Sequence, residues 1–370
     1  MRIAFVHNRY VAYRRALFQA LRSRYDVTFF FEDEGIDQKP DFKCRFSRTI
    51  RIPSKNIRFS HLLPLRLMAG DFNLFISGDL AYTNTLTTFV LSKFLRKPFI
   101  IWSEEWHPDS VLKKAPFTMK KWIVKNSAAC IGAGIKSTSF LKYLGAREDG
   151  LFTAPNASIP IVDLPDKDRS SDLDSFPEGD LLKILYLGRL APSKGIEYLI
   201  EAFGTLQARG FKAALIIAGE GPILTKLEWV AREKRLQHIL FTKRFAHDAD
   251  KLRLYRTCDV LVLPSLYYGY VEGWGLVLNE VMYFGKPVIA TDMVGAAYDL
   301  IDDGINGFIV PERNAEALCS ALMRIMSDKA LRGSMGLTSR KIITERYSCS
   351  KMIAGFEEAI DYVSREKPHQ

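Results

Sequence analysis

The chain has 370 residues, of which 48% are hydrophobic and 25% charged, and its net charge is +10. At roughly 150 residues per domain this length suits two large domains, and so much apolar mass excludes a disordered or fibrous chain. No apolar run approaches the roughly 18 residues of a membrane-spanning helix, so no transmembrane anchor is expected.

The first segment, Met1-Arg2-Ile3-Ala4-Phe5-Val6-His7, enters a strand-like run with no charged region, apolar core and cleavage site ahead of it. No secretory signal is expected. Residues 3–6, 27–31, 72–76, 99–102 and 128–132 read as short buried strands, with helix-length segments at 13–24, 85–95 and 118–126. Residues 153–160, interrupted by Pro155 and Pro160, lead into a polar Asp/Ser-rich stretch that reads as a hinge. The pattern then restarts, with strands at 182–187, 213–218, 239–242, 260–264, 287–290 and 307–310. Helices at 195–209, 222–235, 249–257, 275–284 and 315–327 separate them. Continuous β-branched runs alternating with helices predict parallel sheets covered on both faces. The expected organisation is a first domain over 1–157, a linker over 158–181 and a second domain over 182–347. A closing helix, about 348–365, is free to pack on either domain, the first included.

The five cysteines (Cys44, Cys130, Cys258, Cys319 and Cys349) are odd in number and far apart, without a CxxC pair, and no HExxH occurs. A reduced, cytoplasmic protein without a structural metal is expected. Charge is uneven: residues 1–157 hold 25 Lys/Arg against 13 Asp/Glu, the remainder 27 against 29. A basic first half suits nucleic acid, an acidic membrane surface or a phosphorylated substrate, and charge alone does not choose. Residues 43–66 combine seven cations with apolar residues and no acid, a composition able to sit on anionic lipid headgroups. An ordinary loop and strand with solvated cations fits that stretch equally.

Three motifs carry chemistry. In Gly188-Arg189-Leu190-Ala191-Pro192-Ser193-Lys194-Gly195, two cations lie in a loop between a strand and a helix N-terminus, an arrangement suited to a diphosphate. A capped helix start with solvated cations is the plain alternative. In Glu272-Gly273-Trp274-Gly275-Leu276-Val277-Leu278-Asn279-Glu280, two acids eight apart flank a turn, Glu272 ahead of the helix and Glu280 two turns inside it. Carboxylates accept hydrogen bonds from sugar or ribose hydroxyls, and amides near Gly275 and Leu276 suit an anion between them. The third, Gly219-Glu220-Gly221-Pro222, is a tight turn with proline at the first helical position. All three fall at expected carboxyl ends of strands in one sheet, where open α/β sheets bind ligands.

With these pieces in this order, residues 182–311 resemble the donor domain of the retaining glycosyltransferases of family 4. The resemblance implies the α/β GT-B fold: two Rossmann-like, doubly wound parallel-sheet domains facing a central cleft. It implies that Arg189 and Lys194 bind the diphosphate of a nucleotide-sugar, that Glu280 holds the ribose and that Glu272 contacts the donor sugar. Gly188, Gly219 and the amides near Trp274, Gly275 and Leu276 would frame the donor, and Phe245, in Lys243-Arg244-Phe245, the base. No cofactor and no metal are implied, because the cations and helix terminus meet the phosphate charge.

The first half departs from the family pattern. Where relatives carry a Gly-Gly loop after the first strand, this chain has His7-Asn8-Arg9, with Arg14 following. Where they carry a His against the donor sugar, counting along the strand reaches Glu104, with His107 close behind. Glu104 is the preferred substitute; a surface carboxylate, or His107 in that role, is the alternative. Arg9 and Arg14 are candidates for an anionic acceptor, or plain surface cations.

The reading is thus a retaining, metal-independent hexosyltransferase, cytoplasmic or peripheral on the inner membrane face, acting on a hydroxyl acceptor in glycan or glycolipid synthesis. Lipid-linked and anionic acceptors both fit. A non-transferring nucleotide-sugar binder and a nucleic-acid-binding relative are the alternatives; no recognition helix or RNA-binding motif accompanies the basic stretch, which disfavours the latter.

Overall fold

The computed structural model describes residues 1–31, 42, 44–46, 50–52, 57–108, 116–158, 181–242 and 248–365. The chain divides into two compact units, one of residues 1–157 with 348–370, the other of residues 158–347. Residues 159–180 of the expected linker and residues 43, 47–49 and 53–56 of the basic stretch 43–66 lie outside the described residues.

The first unit is built on β1 (Arg2–His7), β2 (Asp26–Phe31), β3 (Cys44–Phe46), β4 (Ile50–Ile52), β5 (Ile57–Phe59), β6 (Leu74–Gly78), β7 (Phe99–Ser103), β8 (Ala129–Gly132) and β9 (Leu151–Thr153). Seven of these form one parallel sheet in the order β3-β2-β1-β6-β7-β8-β9, while β4 and β5 pair as an antiparallel hairpin. The interior strands are buried almost throughout because helices cover both faces, which is why each reads as an unbroken apolar run. Aromatic rings fill one face, with Phe18 and Phe29 at 4.8 Å and Trp102 and Phe356 at 5.0 Å. Phe356 belongs to the closing helix Cys349–Arg365, which packs against β8, β9 and the helix Arg15–Arg24.

The second unit contains β10 (Leu182–Leu187), β11 (Ala213–Ala218), β12 (Ile239–Thr242), β13 (Val260–Leu263), β14 (Val288–Thr291) and β15 (Gly307–Val310). Their order is β12-β11-β10-β13-β14-β15, all parallel. Strand order reverses at β10 and β13 in this sheet and at β1 and β6 in the first, so each sheet opens a crevice at those carboxyl ends. The sequence pattern did not announce β3, β9 or the helices Leu63–Met68, Ile135–Leu144 and Lys329–Glu345.

Candidate active site

In the second unit, glycines let the loops that follow β10, β11 and β13 close on one another. The Gly188 amide donates to the Ala218 carbonyl at 3.0 Å and the Leu190 amide to the Glu220 carbonyl at 2.8 Å. A Cβ at Gly219 would run into the Gly188 carbonyl oxygen, so only glycine permits this contact. Gly195 has φ +60° and lies against the Pro264 carbonyl, and the Leu266 amide donates to the Ser193 carbonyl at 2.9 Å. Backbone contacts of this kind hold the two sides of the β10/β13 switch point together.

Across that switch point the Lys194 ammonium donates to Oε2 of Glu272, and the Ser265 hydroxyl donates to the same oxygen at 3.2 Å. The Lys194 and Glu272 side chains are 17% and 21% exposed, close enough to solvent to meet a ligand. The Arg189 side chain is exposed, whereas its carbonyl accepts from the buried Tyr186 hydroxyl at 2.9 Å. Burial pushes that phenol well above its ordinary pKa, so it stays a donor and pins the loop.

Glu280 stands in the first turn of the helix Val277–Tyr283, not two turns in, because the chain from Gly273 to Leu276 is a turn rather than helix. The Tyr255 hydroxyl donates to its carboxylate. Trp274 is buried, and its indole N–H donates to Asn279 Oδ1 at 2.8 Å, so the ring is occupied by the core and only its backbone is left for a ligand. Gly275 adopts φ +101°, and Leu276 stands at the helix start without a side-chain cap, the Leu278 amide donating to the Gly275 carbonyl at 3.0 Å. Phe245 lies outside the described residues.

In the first unit a cavity of about 240 Å³ opens at the β1/β6 switch point, lined among others by His7, Arg9, Arg14, Asp79, Trp102 and Glu104. Arg14, taken from sequence as a surface cation or an anion-binding group, is buried. Its guanidinium donates to His7 Nε2 and to Glu104 Oε1 and lies 4.4 Å from the Trp102 ring centroid. Since arginine only donates, His7 Nε2 must be the acceptor, with the ring proton on Nδ1 facing the Arg9 carbonyl at 3.1 Å. Burial, with the Arg14 charge, holds His7 well below the ordinary histidine pKa and keeps it neutral. Glu104 is therefore an ion-pair partner of Arg14, two residues that the sequence had given separate roles. His107 is not among the lining residues; its ring stands edge-on to Trp106, centroids 5.8 Å apart.

Asp79, which sequence reasoning missed, sits on the same wall with φ +73°, and its amide donates to the Trp102 carbonyl at 2.6 Å. Its Oδ1 is out of reach of solvent and without a hydrogen-bond partner. Burial, with the Glu105 and Glu104 carboxylates, pushes its own carboxyl well above the usual range. The signal available was its place: an acid directly after a glycine at a strand end.

Residues 169–342 match the profile of the family described as Glycosyl transferases group 1. That match covers most of the second unit, which is similar to the group 1 glycosyltransferases. Among similar proteins, the alpha-D-kanosaminyltransferase of Streptomyces kanamyceticus is 27% identical over 274 residues, covering 71% of this chain and 70% of that protein. A GDP-mannose-dependent alpha-(1-6)-phosphatidylinositol monomannoside mannosyltransferase of Mycolicibacterium smegmatis is 31% identical over 182 residues, 48% of this chain and 47% of that protein. The chain spans about half the length of several curated relatives it matches. Among solved structures, Anabaena HepE in complex with UDP superposes with TM-score 0.79 at 16% identity over 98% of this chain and 100% of that one. The fold of the chain is thus GT-B, built from two parallel-sheet Rossmann-like domains.

Proposed function

We propose that the chain transfers a hexose from a nucleoside diphosphate sugar to a hydroxyl acceptor, with retention at the anomeric carbon and without a metal or other cofactor. The observation that carries this reading is the Lys194–Glu272 pair, which bridges the loops after β10 and β13 at the switch point. In this reading Lys194 leaves Glu272 for the donor diphosphate, exposed Arg189 adds a forked contact, and Glu272 is released to a sugar hydroxyl. Glu280 takes the ribose hydroxyls, and the loop glycines Gly188 and Gly219 let backbone approach the phosphates. Two cations stabilise the departing diphosphate as its charge grows, and that contribution drives the reaction. The acceptor attacks from the face the diphosphate leaves, and a phosphate oxygen takes its proton.

The acceptor belongs to the first unit in this reading, where Arg9 lines the β1/β6 cavity. Arg14, already paired, is less suited to an anionic acceptor than the sequence alone suggested. In this reading the setting is glycan or glycolipid synthesis, with a cytoplasmic or inner-face peripheral location; similarity to a phosphatidylinositol monomannoside mannosyltransferase supports the setting. Among the described residues no helix is long and apolar enough to cross a membrane.

The test is donor turnover by Lys194→Ala. Transfer should fall by roughly 10²–10³-fold while the melting temperature holds, as when an oxyanion-type contact is removed; near-unchanged transfer by a folded variant sinks the assignment. One observation favours a second reading, a nucleotide-sugar binder that does not transfer: Glu104, the preferred sugar-facing acid, is held by Arg14. Donor-dependent product from the purified chain removes that reading.

A further inference from the structure

One layer of helices in the first unit is chemically lopsided. Strands β6, β7, β8 and β9 follow one another in a single direction across the sheet, so right-handed crossovers put the helices Thr83–Phe94, Phe117–Lys125 and Ile135–Leu144 on one face. The helix Leu63–Met68 packs beside the first of them, and the helices Arg15–Arg24 and Cys349–Arg365 pack together elsewhere. Neighbouring helices of the layer are tied by rings, Phe89 to Trp122 at 4.7 Å and Phe117 to Tyr143 at 5.9 Å.

None of these four helices contains an aspartate or glutamate. Their outer surface exposes Leu65, Met68, Val90, Phe94, Trp122 and Tyr143, with Phe94 at 77% and Trp122 at 47%. Between these lie exposed Lys93, Lys121 and Lys125. A soluble surface helix ordinarily mixes both signs of charge on its outer face, and large apolar groups there are scattered singly.

The composition selects the occupant. A second copy of the chain would set the same cations against one another with no acids in these helices to match them. Protein interface cores are depleted of lysine, which this surface has in each of its three longer helices. Nucleic acid would satisfy the cations but leave the projecting aliphatic and aromatic groups in water. Aromatic and aliphatic side chains among cations suit the headgroup zone of an anionic bilayer, where rings lie at headgroup depth and lysines meet lipid phosphates. We propose that this helix layer is the docking surface of the chain for an anionic lipid bilayer, with Phe94, Trp122 and Tyr143 entering the headgroup region and Lys93, Lys121 and Lys125 resting on lipid phosphates. The proposal stands apart from the donor reading and moves the membrane contact expected at residues 43–66 onto described helices.

The experiment is co-sedimentation of the full chain with phosphatidylcholine vesicles with and without phosphatidylglycerol. Binding should require phosphatidylglycerol and weaken with salt. The double variant Phe94→Glu/Trp122→Glu should lose on the order of tenfold or more in binding. Should that variant fail to fold, the triple variant Lys93→Glu/Lys121→Glu/Lys125→Glu decides in its place. Trp229→Glu, at a still more exposed tryptophan of the second unit, should bind as the parent does. Equal binding to neutral vesicles, or undiminished binding by the folded variants, overturns the proposal. So does a dimer in light scattering that the double variant abolishes, which assigns the surface to a second copy, or retention on DNA without retention on vesicles.

Discussion

Lys194 and Glu272 meet across the point where strand order reverses in the second sheet, one on the loop after β10 and the other on the loop after β13. Without donor, each charge satisfies the other at the crevice mouth, so neither is left desolvated and unpaired. The exchange of partners proposed for donor binding separates two variants. Glu272→Gln removes the competitor for the Lys194 ammonium, and UDP should bind as tightly or more tightly than to the parent, while transfer falls by roughly a hundredfold through loss of a transition-state contact. Lys194→Ala should weaken UDP and transfer together. Isothermal titration with UDP and steady-state kinetics check both, and equal weakening of UDP by the two variants contradicts the exchange.

Gly195 holds those two loops in contact. Its φ of +60° strains any residue with a Cβ, and an added Cβ would strike the Pro264 carbonyl oxygen. Gly210 shares the left-handed backbone, at φ +83°, but an added Cβ there meets nothing within 4 Å. Gly210→Ala should therefore cost about 1 kcal/mol, the backbone strain alone. Gly195→Ala should cost about 2–4 kcal/mol, adding the steric term, and should weaken UDP as well. Urea unfolding of the two variants side by side gives the comparison.

Much of this arrangement was open to reading before any coordinates. The strands of the second unit announced themselves because parallel strands buried on both faces become unbroken runs such as Ile184–Leu187. The glycines of the loops after β10 and β11 stood out because a close backbone approach leaves no other residue. What stayed hidden depends on long-range packing. Arg14 read as an acceptor-binding group or a surface cation because nothing local reveals that Trp102 and Glu104, far along the chain, enclose it together with His7. Glu280 was placed a turn too deep because helix onset after a Gly-Trp-Gly run is set by tertiary hydrogen bonds, such as the Ala296 amide to the Trp274 carbonyl at 3.1 Å. Three-residue strands such as β9 carry too few positions for a period to show.

Arg14 is nearly buried, its side chain 6% exposed, and it pairs with Glu104, whose side chain is 30% exposed. Removing the cation alone leaves Glu104 beside Asp79 without compensation. Arg14→Ala should therefore destabilise by about 3–5 kcal/mol. Glu104→Gln retains an acceptor oxygen for the guanidinium and should cost about 1–2 kcal/mol. Chemical denaturation distinguishes them; similar losses would mean that the pair adds nothing beyond packing.

Asp79 predicts a pH dependence of definite sign. Burial and the Glu105 and Glu104 charges raise its carboxyl in the folded state, while Lys120 and Arg14 oppose them only in part. Neutral His7, on the adjoining strand β1, adds no charge of its own to this wall. The folded chain therefore keeps the Asp79 proton at pH values where the unfolded chain has released it. Its contribution to stability is greatest below the unfolded carboxylate range and declines as pH rises toward the folded pKa. Asp79→Asn, an isostere of the protonated acid, escapes that decline. It should melt close to the parent near pH 4 and above it at pH 7–8, the gap widening with pH. Calorimetric scans across that range check it; a gap that narrows with pH would place an ionised Asp79 in the folded state.

The closing helix makes a further claim about how the first unit is assembled. Phe356 is fully buried, with its ring 5.0 Å from Trp102 and 6.0 Å from Phe5, and Gly355 lies directly against the Thr153 carbonyl of β9. The last helix in the sequence thus completes the core of the first unit rather than that of the second, which precedes it. Phe356→Ala should lower the stability of the first unit by about 3–5 kcal/mol, the usual loss for emptying a buried phenylalanine site. The second unit, with its own core around Ile184, Leu215 and Leu261, should keep its stability. Urea unfolding followed by hydrogen exchange resolves the two units, and protection lost first in β8 and β9, with β10 and β11 unaffected, is the expected pattern. Equal loss in both units would mean that they unfold as one cooperative body.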